Sequence, residues 1–257
     1  MVICSIAGLV GRYYLPQTGQ VGTANGGYGC AMHIGMIGGI GPAATEFYYR
    51  GLTDRHATSG TRLELTIANA DVRDLSRNLA NKDAREQAGI FAALIARLKA
   101  AGAQVAAVTS MSGHFCLGEL VPISPLPILN GIPEVEAAVK RGKFKTIGII
   151  GTRLVMETRL YGAITSAKVA VPLGAELGEV HENYVAMATA GRVNDAQRRM
   201  FFAAGERLCR EQGAEIVLLG GIDLFLAFQG YDANFPVLDC ADVHVEAIYR
   251  ASLQRTT

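Results

Sequence analysis

Tryptophan is absent from the 257-residue sequence, other aromatic residues are few, and neither sign of charge is in excess. The 24 lysines and arginines are balanced by 23 aspartates and glutamates, so the chain lacks the electrostatic footprint of a nucleic-acid-binding protein. No segment reaches the roughly 18 uncharged apolar residues that a membrane span requires. Half of the residues are nevertheless hydrophobic, which predicts a folded core in one large or two small domains.

Motifs for disulfides, metals and nucleotides are also missing. The five cysteines are irregularly spaced and form no CxxC pair, so neither a disulfide framework nor a zinc ribbon is predicted. No HExxH, P-loop or GxGxxG motif occurs. We therefore expect no metal, no cofactor, no nucleic-acid or membrane partner, and a reducing, cytoplasmic compartment.

Residues 1–31 differ in character from the rest of the chain. The apolar run Val2–Val10 lacks the preceding lysine or arginine of a secretory signal, and the segment that follows is rich in turn residues without periodicity. We interpret residues 1–31 as an N-terminal extension, either disordered or a wrongly extended start, with Met32 as the better start. A weak signal peptide stays open as an alternative.

From Met32 onward, apolar strands alternate with amphipathic helices, the pattern of a parallel α/β sheet. Strands are predicted within 33–41, 64–69, 104–110, 145–151, 168–173, 215–221 and 236–239. Helices are predicted from Pro42, at 84–101, from Arg153, across 176–190 and 194–212, and from Ala241.

Two pairs of segments repeat within the chain. Residues 34–49 match 147–162 at an offset of 113, and residues 102–112 match 213–223 at an offset of 111. Two nearly equal offsets predict two similar α/β halves related by a pseudo-twofold axis. Ligands of open α/β sheets bind beyond the carboxyl ends of the strands. The strand ends of both halves should therefore face one shared cleft.

The predicted organisation is two pseudo-symmetric domains, each with a mainly parallel sheet flanked by helices, and a ligand cleft between them. The first domain is expected to contain residues 32–130 plus 232–257, and the second residues 131–231. Such a cleft suits proton removal on one face of a substrate and proton return on the other. The equivalent positions of the two halves are Ser110 and Gly221, which are not an obvious pair of bases.

Three segments carry a resemblance to a known family: IGMIGGIGPAATEFYYRGL at 34–52, GTRLVMETRLY at 151–161 and VLDCADVHVEA at 237–247. They resemble the cofactor-independent aspartate/glutamate racemase superfamily, and its aspartate racemase branch most closely. The resemblance runs from about Met32 to the C-terminus. It implies a homodimer, an amino acid or other small carboxylate as ligand, and a cysteine from each domain acting as a thiol/thiolate pair across the α-carbon.

The chain departs from the family pattern at both cysteines, where Ser110 and Gly221 stand. Met111 replaces an amide that reads the substrate, and Glu179 falls where aspartate-specific relatives have a lysine. A like charge at Glu179 would disfavour a second substrate carboxylate. The resemblance implies substrate-binding positions at Gly39, Ile40, Met111, Ser112, Gly113, Thr152, Arg153, Glu179 and Ile222.

Each of these assignments has a structural alternative. Ser110 is either an acid/base or a small cap at a turn, and the glycines are either backbone donors or turn residues. Thr152 is either an anion ligand or a helix cap. Asp223 is either a substitute base or an N-cap. Cys240, one turn before His244, is either a displaced thiolate or, more simply, a buried core residue.

The resemblance implies an isomerase of the amino-acid racemase type, independent of pyridoxal phosphate. It would transfer a proton at the carbon next to a carboxylate with atypical or impaired catalytic residues, which include Ser110, Gly221 and Asp223. Two alternatives stay open. One is a non-catalytic descendant that binds a small carboxylate, and the other is a different carbanion or enolate chemistry such as decarboxylation.

Overall fold

Two sheets of four strands each form the centre of the molecule, a computed structural model that describes residues 32–254. The first sheet has the order β2-β1-β3-β4, with β1 at Ile34–Gly38, β2 at Leu65–Asn69, β3 at Val105–Val108 and β4 at Ile128–Leu129. The second has the order β6-β5-β7-β8, with β5 at Thr146–Ile150, β6 at Lys168–Ala170, β7 at Ile216–Leu219 and β8 at Val237–Asp239. All neighbouring strands are parallel.

Helices connect the strands and cover both sheets. They are α1 Pro42–Ser59, α2 Val72–Asn81, α3 Ala84–Ala100, α4 Leu117–Leu120, α5 Gly131–Gly142, α6 Arg153–Glu157, α7 Ala175–Ala190, α8 Asp195–Gln212, α9 Phe225–Phe228 and α10 Cys240–Ser252. Short 3-10 turns lie at Ser112–Cys116, Val121–Ile123 and Ile222–Leu224. No helix in the described part of the chain is both long and apolar enough to cross a membrane.

The two sheets have the same strand order, and the strands of each are equivalent in sequence order to those of the other. β1 and β5 each lie beside the next two strands of their half, and β3 and β7 are each followed by a 3-10 turn and a short helix. The predicted α/β fold with a repeated half is thus confirmed. The proposed role of residues 1–31 lies outside the described residues.

One predicted boundary differs from the strand pairing. Residues 232–257 were expected in the first domain, but β8 at Val237–Asp239 pairs with β7 and completes the second sheet. The chain leaves that sheet only at α10, which packs against α1 and α5. The reason is the repeat itself, since β8 occupies in its sheet the position of β4 in the first.

The core explains why these segments are so apolar. All residues of β1, β3 and β7 are buried, as is usual for parallel strands covered by helices on both faces. Ion pairs fasten α10 to its neighbours: Arg55 of α1 binds Asp242 and Glu246, and Arg250 binds Glu134 of α5. Packing of α10 between the two other helices therefore joins both halves.

Candidate active site

The carboxyl ends of strands from both halves meet at one place. Gly41, after β1, lies beside Asp223, after β7: a Cβ on Gly41 would be 3.1 Å from Oδ1 of Asp223. Ser112, after β3, has its hydroxyl 3.2 Å from that of Thr152, after β5. Tyr161 also crosses the junction, donating its hydroxyl proton to the carbonyl of Met111 over 2.9 Å. The site is therefore built from loops of both sheets.

Ser110 lies directly beyond β3 and is 7% exposed. Its hydroxyl oxygen accepts a hydrogen bond from the amide of Gly113 at 3.1 Å, and its carbonyl accepts one from Nδ1 of His114 at 2.6 Å. Accepting through oxygen leaves the hydroxyl proton available for donation. Ser110 thus holds the start of the 3-10 turn and retains a polar hydrogen for a ligand.

Two buried histidines lie next to each other, with ring centroids 5.8 Å apart. His114 donates through Nδ1, so its Nε2 carries a lone pair, and this buried atom has no hydrogen-bond partner. Burial lowers the pKa of His114 to about 4, partly offset by the bond to Ser110. Burial, followed by repulsion from His114, lowers the pKa of His244 to about 3. Both rings are therefore neutral at pH 7.

His244 has both ring nitrogens engaged. Nε2 donates to the carbonyl of Leu129 at 3.0 Å, and Nδ1 accepts from the hydroxyl of Tyr48 at 2.9 Å. This arrangement fixes the ring and gives it a structural role. Tyr48 is fully buried on α1.

Asp223 is 4% exposed and sits at the N-terminus of α1 from the opposite half. Its Oδ2 accepts a hydrogen bond from the hydroxyl of Tyr184 at 3.1 Å, while Oδ1 is buried without a partner. Burial raises the pKa of the carboxyl group, against the effects of Tyr184 and of backbone amides including that of Ala44. The turn Ile222–Leu224 has no side-chain cap, so Asp223 does not serve as the N-cap of its own turn.

Tyr184, which the sequence did not single out, fills the place of a side chain at Gly221. A Cβ on Gly221 would lie 2.3 Å from Cε2, 2.6 Å from Cζ and 2.8 Å from the hydroxyl oxygen of Tyr184. Cβ atoms essentially never approach that closely, so a side chain at residue 221 would require the tyrosine ring to move. Burial, followed by the charge of Asp223, raises the pKa of Tyr184 well above its usual value.

The cysteines nearest the site are buried thiols. Burial, followed by the charge of Asp239, raises the pKa of Cys240 well above its usual value. His244, its expected activator, is occupied by Tyr48 and Leu129. Burial likewise raises the pKa of Cys116 to about 12. Both side chains are therefore packing residues in this arrangement, as the simpler interpretation expected.

The expected backbone donors of the first half lie near Ser110 but have internal partners. The amide of Gly39 donates to Oγ1 of Thr45 at 2.8 Å, and that of Gly113 donates to Ser110. Ile40 and Met111 are buried at 4% and 1% exposure, and Ser112 is half-buried. Their assignment to substrate binding stays a prediction.

The expected binding residues of the second half divide between the junction and the surface. Thr152 caps α6 through its bond to the amide of Val155 at 3.4 Å, and Ile222 is 2% exposed. Arg153 is exposed and pairs with Glu157 at 3.3 Å. Glu179 is exposed on α7. Within residues 32–254, no cluster of three metal-ligating side chains occurs.

Comparison with known proteins agrees with this architecture. The model of the Asp/Glu/Hydantoin racemase family matches residues 37–248. A Yersinia pestis protein, described as an Asp/Glu racemase candidate, is 24% identical with a TM-score of 0.75, covering 87% of this chain and all of that one.

Two further solved structures share the fold. An aspartate racemase homologue from Pyrococcus horikoshii is 22% identical with a TM-score of 0.70, covering 86% of this chain and 99% of that one. A Francisella tularensis glutamate racemase in complex with D-glutamate is 12% identical with a TM-score of 0.58, covering 88% and 85%. These likenesses establish the fold.

Proposed function

The chain belongs to the Asp/Glu/Hydantoin racemase family, a racemase class of isomerases, and from this premise we propose that it transfers a proton at the α-carbon of a small amino acid without a cofactor. Ser110 serves one face of that carbon, and Asp223 serves the other. The substrate carboxylate is bound near the backbone of Gly39, Ile40 and Gly113. The class of reaction comes from the family, and the residue roles come from the site.

The observation that carries the proposal is the pairing of two unequal proton-handling groups at the junction. Asp223 is a buried acid with one unpartnered oxygen, and burial raises the pKa of its carboxyl group. Such a raised pKa is typical of carboxyl groups that act as general acid/base. Ser110 has a hydroxyl proton that its bond from Gly113 leaves available. A serine hydroxyl is a weak base, so Ser110 serves better as the donor to a carbanion than as the group that removes the first proton.

The experiment follows the α-proton directly. The full chain is incubated in D₂O with each enantiomer of alanine, serine, aspartate and glutamate, and proton NMR and chiral chromatography follow the products. Loss of the α-proton signal together with inversion of at least one amino acid is expected. Asp223→Asn should slow this exchange by about 100-fold, within the range for loss of one general acid/base. Absence of exchange with every amino acid would contradict the proposal.

A second candidate function is binding of a small carboxylate without turnover. It is favoured by the tyrosine ring that takes the place of a side chain at Gly221. In that case an amino acid of the panel would raise the melting temperature and be recovered without deuterium.

Two further attributes belong to this proposal. A cytoplasmic location is supported by the free thiols of Cys116, Cys209 and Cys240, which suit a reducing compartment. A homodimer rests on the family resemblance, and sedimentation equilibrium of the purified chain would measure it.

A further inference from the structure

We propose that the phenolic oxygen of Tyr184 transfers the proton on the face of the substrate where Gly221 has no side chain. Asp223 then holds the proton that Tyr184 passes on. This inference rests on the proposed function, because it names the group that serves the second face of the α-carbon. It adds Tyr184 of α7 to the acid/base residues, which the sequence places only after strand ends.

The first argument is the position of the tyrosine hydroxyl. The hydroxyl oxygen lies 2.8 Å from the position of a Cβ on Gly221, and the ring atoms Cε2 and Cζ lie 2.3 and 2.6 Å from that position. A side chain at residue 221 would carry its own reactive atom within about one bond length of that Cβ. The hydroxyl of Tyr184 therefore stands close to where a catalytic atom at residue 221 would stand.

The second argument is the hydrogen bond between Tyr184 and Asp223. The hydroxyl donates to Oδ2 over 3.1 Å, and the carboxyl group has no other hydrogen-bonded side chain in the described residues. Both groups are buried, at 7% and 4% exposure, so water competes little for this bond. A phenol bonded to a carboxylate in such surroundings can exchange a proton with it without leaving its place.

The proton balance of the step is simple. As the α-carbon gives its proton to the phenolic oxygen of Tyr184, the phenolic proton moves to Oδ2 of Asp223. The products are a substrate carbanion, a neutral tyrosine and a neutral aspartic acid. Ser110 then donates its hydroxyl proton to the opposite face of the carbanion. This leaves Ser110 as an alkoxide and Asp223 as the neutral acid, and in that form the alkoxide removes the α-proton of the other enantiomer while Asp223 returns its proton through Tyr184. Water restores the starting form after product release by giving a proton to Ser110 and taking one from Asp223.

The surroundings make it easier for the carboxylate of Asp223 to take up a proton than it would be in water. The raised pKa of Asp223 and that of Tyr184 share one principal cause, burial. The thiol of Cys240 is close enough to add to the raised pKa of Tyr184 and is itself protonated. A neutral aspartic acid is therefore an accessible product of the relay rather than a costly one.

The test compares Tyr184→Phe, which keeps the ring and removes the hydroxyl, with the unchanged full chain in D₂O. The probes are both enantiomers of the amino acid that the unchanged chain exchanges fastest. Tyr184→Phe should lose at least tenfold in α-proton exchange of one enantiomer and in racemisation. The variant should still exchange the α-proton of the other enantiomer without inverting it, because Ser110 serves that face of the α-carbon. Asp223→Asn should show the same asymmetry.

The control is Tyr249→Phe, which removes the hydroxyl of a half-buried tyrosine that packs on His56, away from the junction. It should leave both exchange rates unchanged. Melting curves of all variants are recorded, and if Tyr184→Phe does not fold, Asp223→Asn carries the test.

The contrary outcomes separate the two proposals. Unchanged exchange in a folded Tyr184→Phe variant, or equal loss for both enantiomers, would overturn the relay and leave the proposed function standing. Absence of any exchange in the unchanged chain would overturn both.

Discussion

At the scale of single residues, Gly221 and Tyr184 behave as one packed unit. The backbone of Gly221 is extended, with φ −135° and ψ 131°, a conformation open to any residue. What prevents a side chain there is the ring of Tyr184, 2.3 Å from the place of the Cβ. The glycine is therefore required by its neighbour and not by its own backbone.

Gly221→Ala should consequently destabilise the protein by about 1–3 kcal/mol, the usual cost of overpacking a buried site. Urea unfolding at pH 7 measures this. Gly89→Ala is the matched control, because Gly89 lies in α3 with open space around it. An alanine there should stabilise the chain by about 0.5–1 kcal/mol, as expected within a helix. Equal stability of the two variants would mean that Tyr184 moves aside freely.

The buried histidines predict a loss of stability in mild acid. The pKa is lowered to about 4 for His114 and about 3 for His244, whereas an unfolded histidine titrates near 6.5. Below pH 6.5 these histidines bind protons in the unfolded chain and not in the folded one, so the free energy of unfolding decreases as the pH is lowered. From pH 7 to pH 5, each histidine should cost about 2 kcal/mol.

Unfolding free energies at pH 7 and pH 5 test this dependence, with His114→Asn as the comparison. The variant should lose roughly half of the histidine-dependent fall. Asp223 works in the opposite direction, since its raised pKa favours the folded state as the carboxyl group takes up a proton. Asp223→Asn should therefore steepen the fall in acid, and a parallel pH dependence in all three proteins would refute the assignment.

The sequence predicted part of the site at this scale. Ser110 and Asp223 are predicted because strand ends in an α/β fold converge, and Asp223 lies beside Gly41 of the other half. The catalytic roles of both residues stay predictions. Tyr184 was missed, because α7 precedes Asp223 by many residues and only the packing of the helix onto Gly221 joins them. From the sequence alone, a tyrosine on a helix that contacts Gly221 looks the same as a tyrosine that packs in the core.

At the scale of elements, the segment after α6 controls how the two halves touch. Three consecutive residues, Arg159, Leu160 and Tyr161, have φ between 52° and 59°, the left-handed region. This turn directs the Tyr161 hydroxyl onto the carbonyls of Met111 and Ser112, at 2.9 and 3.3 Å. A strained turn in one half thereby holds the 3-10 turn that follows Ser110 in the other.

Tyr161→Phe should remove this hydrogen bond and cost about 1 kcal/mol, because the carbonyl of Met111 then keeps only the bond from the amide of His114. Hydrogen exchange should increase at the amides of the turn Ser112–Cys116. Tyr49→Phe is the control, since Tyr49 is exposed on α1 and should change neither quantity. Protection of the turn that is unchanged in Tyr161→Phe would show that other contacts hold it.

The elements themselves were largely accessible from the sequence, for identifiable reasons. β1, β3 and β7 are apolar throughout, and β5 is apolar after Thr146. All four stand at the repeat offsets, so composition and the repeat together predict their positions. β4 has two residues, too few for any periodicity. The helix expected from Arg153 ends at Glu157, because residues 159–161 adopt left-handed backbone angles before Gly162 is reached. None of these three residue types predicts such a turn.

At the scale of the whole molecule, the two halves contact each other through packed helices and through the polar residues at the strand ends. α10 packs against α1 and α5, and Arg55 binds two carboxylates of α10. Strand ends of both halves meet at Asp223, where the ring of Tyr184 occupies the space of a side chain at residue 221. The shape of the site therefore depends on both halves and on α7.

Restoring the family's cysteines should succeed only if space is made for them. Ser110→Cys with Gly221→Cys should destabilise the chain by about 1–3 kcal/mol, because the new thiol meets the ring of Tyr184. Adding Tyr184→Ala should recover the space and raise racemisation of amino acids above that of the double variant. Chiral chromatography and melting curves check both. A double variant as stable and as active as the triple would contradict this packing account.

The most direct measurement is a crystal structure with the amino acid that the chain exchanges fastest. We expect the α-carbon between the hydroxyl of Ser110 and the hydroxyl of Tyr184, each about 3–3.5 Å away, the distance that proton transfer requires. The two oxygens should lie on opposite faces of that carbon. An amino acid bound elsewhere, or with both oxygens on one face, would contradict the account.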